Sequence, residues 1–154
     1  MKALKRGRVQ FPDPEQASPE GVVAVGAKPD ADTLKDAYTR GIFPWPHEGF
    51  PLLWFSPDPR FVVEPKRAHL HKSLKKAMKK TELVIRADTA FRTVIESCSD
   101  KKRPGQRGTW ITDDMIEGYC ALHAEGFAHS IEAWQPMQKG ETLVGGLYGV
   151  SFGA

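Results

Sequence analysis

The residues best equipped for chemistry are cations and indoles. Lys66, Arg67, Lys72, Lys75, Lys76, Lys79 and Lys80 follow one another with no acid among them, and Lys101, Lys102, Arg103 and Arg107 form a second cluster. Without these two clusters, 11 basic residues face 19 acids, so the net charge of +3 hides a basic region on an acidic chain. Such asymmetry suits a localised site for a polyanion, and equally a solvated helix face. Lysines are compact charges that position a phosphate backbone without reading its sequence. The second group is aromatic. Phe43, Trp45, Phe50, Trp54 and Phe55 lie in a segment stiffened by Pro44, Pro46, Pro51, Pro57 and Pro59. Aromatics in a stiff loop serve either as structural plugs or as a stacking surface, and Phe43 and Trp54 read as plugs.

Other chemistries lack their residues. There is no G-x-S-x-G elbow, no H-E-x-x-H, no phosphate-binding glycine loop and no G-x-G-x-x-G. His69 and His71 are two apart, which places them on different faces of a helix. His129 reads as a satisfied interior group rather than a catalytic one. Cys98 and Cys120 lack metal-type spacing and read as reduced core thiols of a cytoplasmic protein. No apolar run approaches the roughly 18 residues that suggest a membrane helix, and the basic start (Lys2, Lys5, Arg6, Arg8) is followed by no apolar signal region.

The elements that must position these groups are legible in outline. A short helix capped by Asp30 or Asp32 has Leu34, Ala37 and Tyr38 on its apolar side and ends at Gly41. The proline-rich residues 41–60 are expected to form neither a regular helix nor a central strand. A helix over residues 69–80 places Leu70, Leu74, Ala77 and Met78 on one side and its five lysines on the other, which makes the cations a continuous stripe. Residues 82–86 read as a strand. Phe91, Val94, Ile95 and Cys98 recur at helical spacing, and Thr112 followed by Asp113 and Asp114 opens a further helix reaching Gly126. Two strands follow, over 127–134 and 142–150, joined by a turn at 136–140. Gly145, Gly146 and Gly149 in the second mark a bulge or a close approach. The order predicts an α+β fold: a small irregular N-terminal domain over residues 1–62 and a sheet with helices laid on it over 63–154.

Several segments carry a resemblance in collinear order. They are Gly41-Ile42-Phe43-Pro44-Trp45, Trp54-Phe55-Ser56-Pro57-Asp58-Pro59-Arg60, His69 with the basic helix, Gly108-Thr109-Trp110-Ile111-Thr112, Ala128-His129-Ser130-Ile131-Glu132, and Leu143-Val144-Gly145-Gly146-Leu147-Tyr148-Gly149-Val150. Over residues 11–152 the chain resembles the leucyl/phenylalanyl-tRNA–protein transferases. The resemblance implies an aminoacyltransferase that moves leucine or phenylalanine from charged tRNA to proteins beginning with arginine or lysine, marking them for degradation, without metal or cofactor. It implies the tRNA 3′-terminal adenosine between Trp45 and Trp110, with Tyr38 and Tyr119 near its ribose or base. Leu147 would line the aminoacyl pocket, and Lys72, Lys76, Lys79 and Lys80 would contact the tRNA body. It also implies that residues 63–154 are the first half of an acetyltransferase-like mixed sheet, and that the catalytic groups are expected beyond Ala154. The alternative is a catalytically incomplete tRNA-binding remnant. An acetyl-CoA-dependent transferase is a third reading, compatible with the strand at residues 143–150.

Overall fold

A computed structural model describes residues 10–47, 49–101 and 109–153, together with the backbone of residues 2–4. The side chains of the basic N-terminus (Lys2, Lys5, Arg6, Arg8), the cluster members Lys102, Arg103 and Arg107, and also Gly108 and Ala154, lie outside the described residues. The fold is α+β, as expected. Four strands, β1 (Lys2–Leu4), β2 (Val22–Gly26), β3 (Phe43–Trp45) and β4 (Leu53–Phe55), form one sheet in the order β1-β2-β4-β3. Only the β1–β2 pair is parallel. A second, fully antiparallel sheet orders β5 (Val84–Ala87), β6 (Ala128–Pro136) and β7 (Glu141–Val150) as β5-β6-β7. The helices are α1 (Ala31–Thr39), α2 (Lys72–Met78), α3 (Phe91–Asp100) and α4 (Asp113–Ala124).

The proline-rich segment corrects the expectation placed on it. β4 is a central strand, flanked by β2 and β3. It escapes the proline rule because Pro51 and Pro57 stand just outside it, and Pro44 lies in β3, at the sheet edge, where its missing N–H costs no ladder bond. Trp54 at its middle is a plug, as expected. It is fully buried, donates from Nε1 to the Gly26 carbonyl at 2.8 Å, and meets Phe11 edge-on at 4.8 Å. Phe43 is only half-buried and stacks on Phe55 instead.

α1 begins where Asp30 accepts from the Thr33 N–H at 2.9 Å, and α4 where Thr112 accepts from Met115. One buried cluster runs from Phe11 and Trp54 through Leu34 and Ala37 of α1 to Met115, Tyr119 and Leu122 of α4, and on to Ala128 of β6. The glycines of β7 mark two different things. Ala133 faces Gly145 and Trp134 faces Leu143, so Val144 is bulged out. A Cβ on Gly146 would lie 2.9 Å from Val94 Cγ2, so the close approach is made by α3.

α2 also departs from expectation. His71 caps it through Nδ1 toward the Ser73 N–H, so it starts after Leu70 and ends at Met78, with Lys79 as its C-cap. Leu70, Leu74 and Met78, on the apolar side, are exposed, as is every residue from 58 to 82. The helical spacing correctly separates lysines from apolar residues, but spacing cannot supply a surface to pack against.

α3 has no side-chain cap of its own at Ala90. Its cap comes from β6. Glu132, fully buried, accepts from the Ala90 N–H at 3.0 Å, from the Thr89 N–H at 3.1 Å, and from the Thr89 and Ser130 hydroxyls at 2.5 and 2.6 Å. A carboxylate there also faces the positive end of the helix dipole. Burial by itself would raise its pKa; the donors from Ser130, Thr89 and Ala90 outweigh burial and hold it down to about 2. Glu132→Ala should therefore cost roughly 2–4 kcal/mol by stranding these donors, read as a lower melting temperature at neutral pH. Because the folded pKa lies below the unfolded one, this contribution is present above the ordinary carboxylate pKa of about 4.3 and lost as pH falls toward 2. The variant should thus lose part of the wild-type decline in stability across that acid range, and an unchanged acid limb would refute the assignment.

Candidate nucleic-acid interface

Trp45 ends the edge strand β3, held in register against Leu53, with Pro44 buried beside it. Its own ring remains 48% exposed. Trp110 lies in the segment leading into α4, anchored by the buried Ile111 next to it. Far apart in sequence, the two indoles stack with centroids 6.0 Å apart and planes inclined by 30°. A flat ring held between two others needs about 7 Å from one to the other, twice a carbon contact distance of about 3.5 Å. The pair must therefore open before an aromatic base can sit between the two indoles. Trp45, on an edge and half exposed, has room to move.

Tyr38 of α1 and Tyr119 of α4 are also together. Their hydroxyls lie 2.5 Å apart and their rings meet edge-on at 6.3 Å. Tyr119 is only 2% exposed, packed on Tyr148, and Tyr38 stacks on Phe152. Burial drives the Tyr119 phenol well above its ordinary pKa, helped by Tyr38, and raises that of Tyr38 as well. Both therefore stay protonated at neutral pH, as hydrogen-bonding groups rather than bases.

Leu147 lies on the opposite side of the second sheet from the helices. Register places it beside Ile131, and Ile85 shares that face, so the three make an exposed apolar strip, Leu147 being 62% exposed. Lys72, Lys75 and Lys76 on α2, with Lys79 and Lys80 after it, form a separate basic surface. None of the five pairs with a carboxylate among the described residues, whereas nearby Arg67 is taken by Glu64 at 3.3 Å. The structure thus joins the two tryptophans, joins the two tyrosines, and leaves Leu147 and the lysines on surfaces of their own.

His129 is satisfied but not interior. Half-exposed, it meets Asp88 Oδ2 through Nδ1 at 2.8 Å. The His129 contact, followed by the Ser130 N–H, holds the Asp88 carboxyl below the usual range. Among the described residues no group of three His, Cys, Asp or Glu side chains could hold a metal ion, and no helix is long and apolar enough to cross a membrane. Cys98 and Cys120 form no disulfide and are half-buried. Arg60 also has a place in the site, and sequence reasoning assigns it none. Its partners stand well before it in the chain, at Gly41 and Phe43, and no local spacing marks it.

The described residues thus form an α+β fold with paired indoles at a sheet edge and, apart from them, a helix whose lysines pair with no described carboxylate. The family model for leucyl/phenylalanyl-tRNA protein transferase matches residues 62–154, and that for the N-terminal domain of the same family matches residues 27–58. The leucyl/phenylalanyl-tRNA–protein transferase of Myxococcus xanthus (strain DK1622) is 57% identical over 144 residues, which are 94% of this chain and 60% of that protein. Its counterpart from Anaeromyxobacter sp. (strain Fw109-5) is 50% identical over 145 residues, again 60% of its length. The chain belongs to the leucyl/phenylalanyl-tRNA–protein transferase family and spans about 60% of the length of these curated relatives.

Proposed function

We propose that this chain serves the transfer of leucine or phenylalanine from aminoacyl-tRNA to proteins beginning with arginine or lysine, in the cytoplasm, marking them for degradation. Trp45 and Trp110 grip the 3′-terminal adenosine, and the Trp45–Trp110 stack at 6.0 Å is the observation that carries the reading. Tyr38 and Tyr119 donate to its ribose or base, Leu147 belongs to the pocket for the transferred side chain, and Lys72, Lys76, Lys79 and Lys80 follow the tRNA body. The aminoacyl ester already supplies an activated carbonyl. An α-amino group of ordinary pKa, roughly 7.7–8.0, is partly neutral near pH 7, so the reaction asks mainly for orientation and for donors toward the developing oxyanion. Leu147 sits in an apolar strip that suits an aliphatic or aromatic side chain, and discrimination there is limited, since one methylene is worth about 1–3 kcal/mol.

Phe-tRNA and the same tRNA lacking its last adenosine separate the parts of this reading. The intact tRNA should bind more tightly, and both should weaken as salt rises. Changing Lys72, Lys76, Lys79 and Lys80 together to alanine should weaken both tRNAs alike. It should also flatten the salt dependence by roughly 0.7–0.9 in logarithmic slope for each phosphate that is no longer neutralised. Equal binding of the two tRNAs would remove the adenosine site, and indifference to the lysine changes would remove the basic stripe. Phenylalanine transfer to a peptide beginning with arginine, measured on the same protein, distinguishes a transferase from a tRNA-binding chain.

A further inference from the structure

Arg60 is built into the same surface. Its Nη1 donates to the Gly41 carbonyl at 2.7 Å, and its guanidinium carbon lies 5.0 Å over the Phe43 ring. The carbonyl bond and the ring face together fix the plane of the group. Phe43 and Trp45 are two apart in β3 and so lie on one side of the strand, their rings 6.2 Å from each other. The positive charge also reaches Tyr38, where it works against the larger upward push of burial on that phenol. Arg60 therefore covers Phe43, the neighbour of Trp45, and its charge is felt at Tyr38.

No carboxylate pairs with Arg60 among the described residues, although Arg40, Arg67, Arg86 and Arg92 are all engaged by acids. The residue itself is exposed. An ordered, exposed guanidinium without an acid presents a planar fork suited to two oxygens of one phosphate, and little side-chain freedom is left to lose on binding. We propose that Arg60 is a phosphate-binding subsite for the phosphodiester that leads into the nucleoside held by Trp45 and Trp110. This rests on the adenosine-site reading above and adds to it the anion that accompanies the base.

The test uses the RNA trinucleotide CCA and the same trinucleotide carrying an uncharged methylphosphonate at the linkage before adenosine. Wild-type protein should bind the natural RNA about tenfold more tightly, with the difference shrinking at high salt. Arg60→Ala should bind the two RNAs equally, at the affinity wild-type protein shows for the methylphosphonate. Arg60→Gln, which keeps an N–H for the Gly41 carbonyl but no charge, should behave like Arg60→Ala; Arg60→Lys should recover part of the preference. A preference of about tenfold that survives in Arg60→Ala and Arg60→Gln would overturn the subsite. Failure of wild-type protein to bind either RNA would instead overturn the adenosine site itself.

Discussion

Trp45→Ala is expected to weaken binding of RNA ending in CCA by roughly 5- to 150-fold, because stacking of a base on an aromatic side chain is worth about 1–3 kcal/mol. Each step of about 1.36 kcal/mol is tenfold in affinity. The change should leave folding nearly untouched, because the ring is half exposed and its main partner is Trp110 rather than the core. Loss of the indole pair itself removes about 0.5–1.5 kcal/mol at most. Trp110→Ala should have a similar effect on binding, and the double variant should lose less than the sum of the two, because a base gripped from both sides is held by a coupled pair. Trp45→Phe keeps a flat ring and should retain most of the affinity. Equilibrium titration with a labelled oligonucleotide, alongside thermal melts, reads both quantities. Unchanged affinity in Trp45→Ala and Trp110→Ala would mean that the two indoles pack only on each other.

Gly118→Ala should destabilise the protein by more than about 3 kcal/mol, lowering the melting temperature by roughly 6–12 °C for a chain of this size. Helix propensity predicts the reverse, since alanine in a helix interior is better than glycine by about 1 kcal/mol. Packing decides the sign. Gly118 lies in α4, and a Cβ there would stand 1.7 Å from the Pro29 carbonyl oxygen, 2.9 Å from its carbon and 3.2 Å from Leu34 Cδ1. The first two are backbone atoms just ahead of the Asp30 cap of α1, so no side-chain rotation relieves the overlap. The strain should push α4 from α1 and part Tyr119 from Tyr38, whose hydroxyls meet across that junction. Gly149→Ala is the matching control. A Cβ at that position meets nothing within 4 Å, so its effect should stay within about 0.5 kcal/mol. A Gly118→Ala protein as stable as wild type would show that α4 does not lie this close to Pro29.

The contrast at Gly118 shows where sequence stops being informative. Local patterns are legible. Apolar spacing at Phe91, Val94, Ile95 and Cys98 marks α3, and the caps Asp30 and Thr112 mark the starts of α1 and α4. Each depends on neighbours within about one helical turn, and such relations survive in a one-dimensional reading. The lysine stripe is of the same kind, since charge separation around α2 follows from helical spacing whether or not its apolar side finds a partner.

What the chain's order leaves open are relations between distant residues. β4 becomes a central strand because β2 and β3 happen to flank it, although prolines crowd its sequence surroundings. Glu132 becomes the cap of α3 from a strand far along the chain, which no local motif at Ala90 announces. His129, expected to be interior, is half-exposed because its strand position borders Asp88 rather than the core. By itself the sequence established an α+β chain with a basic helix and a family resemblance carried by short collinear segments. Tertiary structure alone decided that Trp45 meets Trp110, that Tyr38 meets Tyr119, and that Arg60 binds the Gly41 carbonyl over the Phe43 ring with no carboxylate partner among the described residues. The physical reason is that helical periodicity and capping act between near neighbours, whereas a binding surface is assembled by sheet register and core packing, which bring together residues the chain keeps far apart.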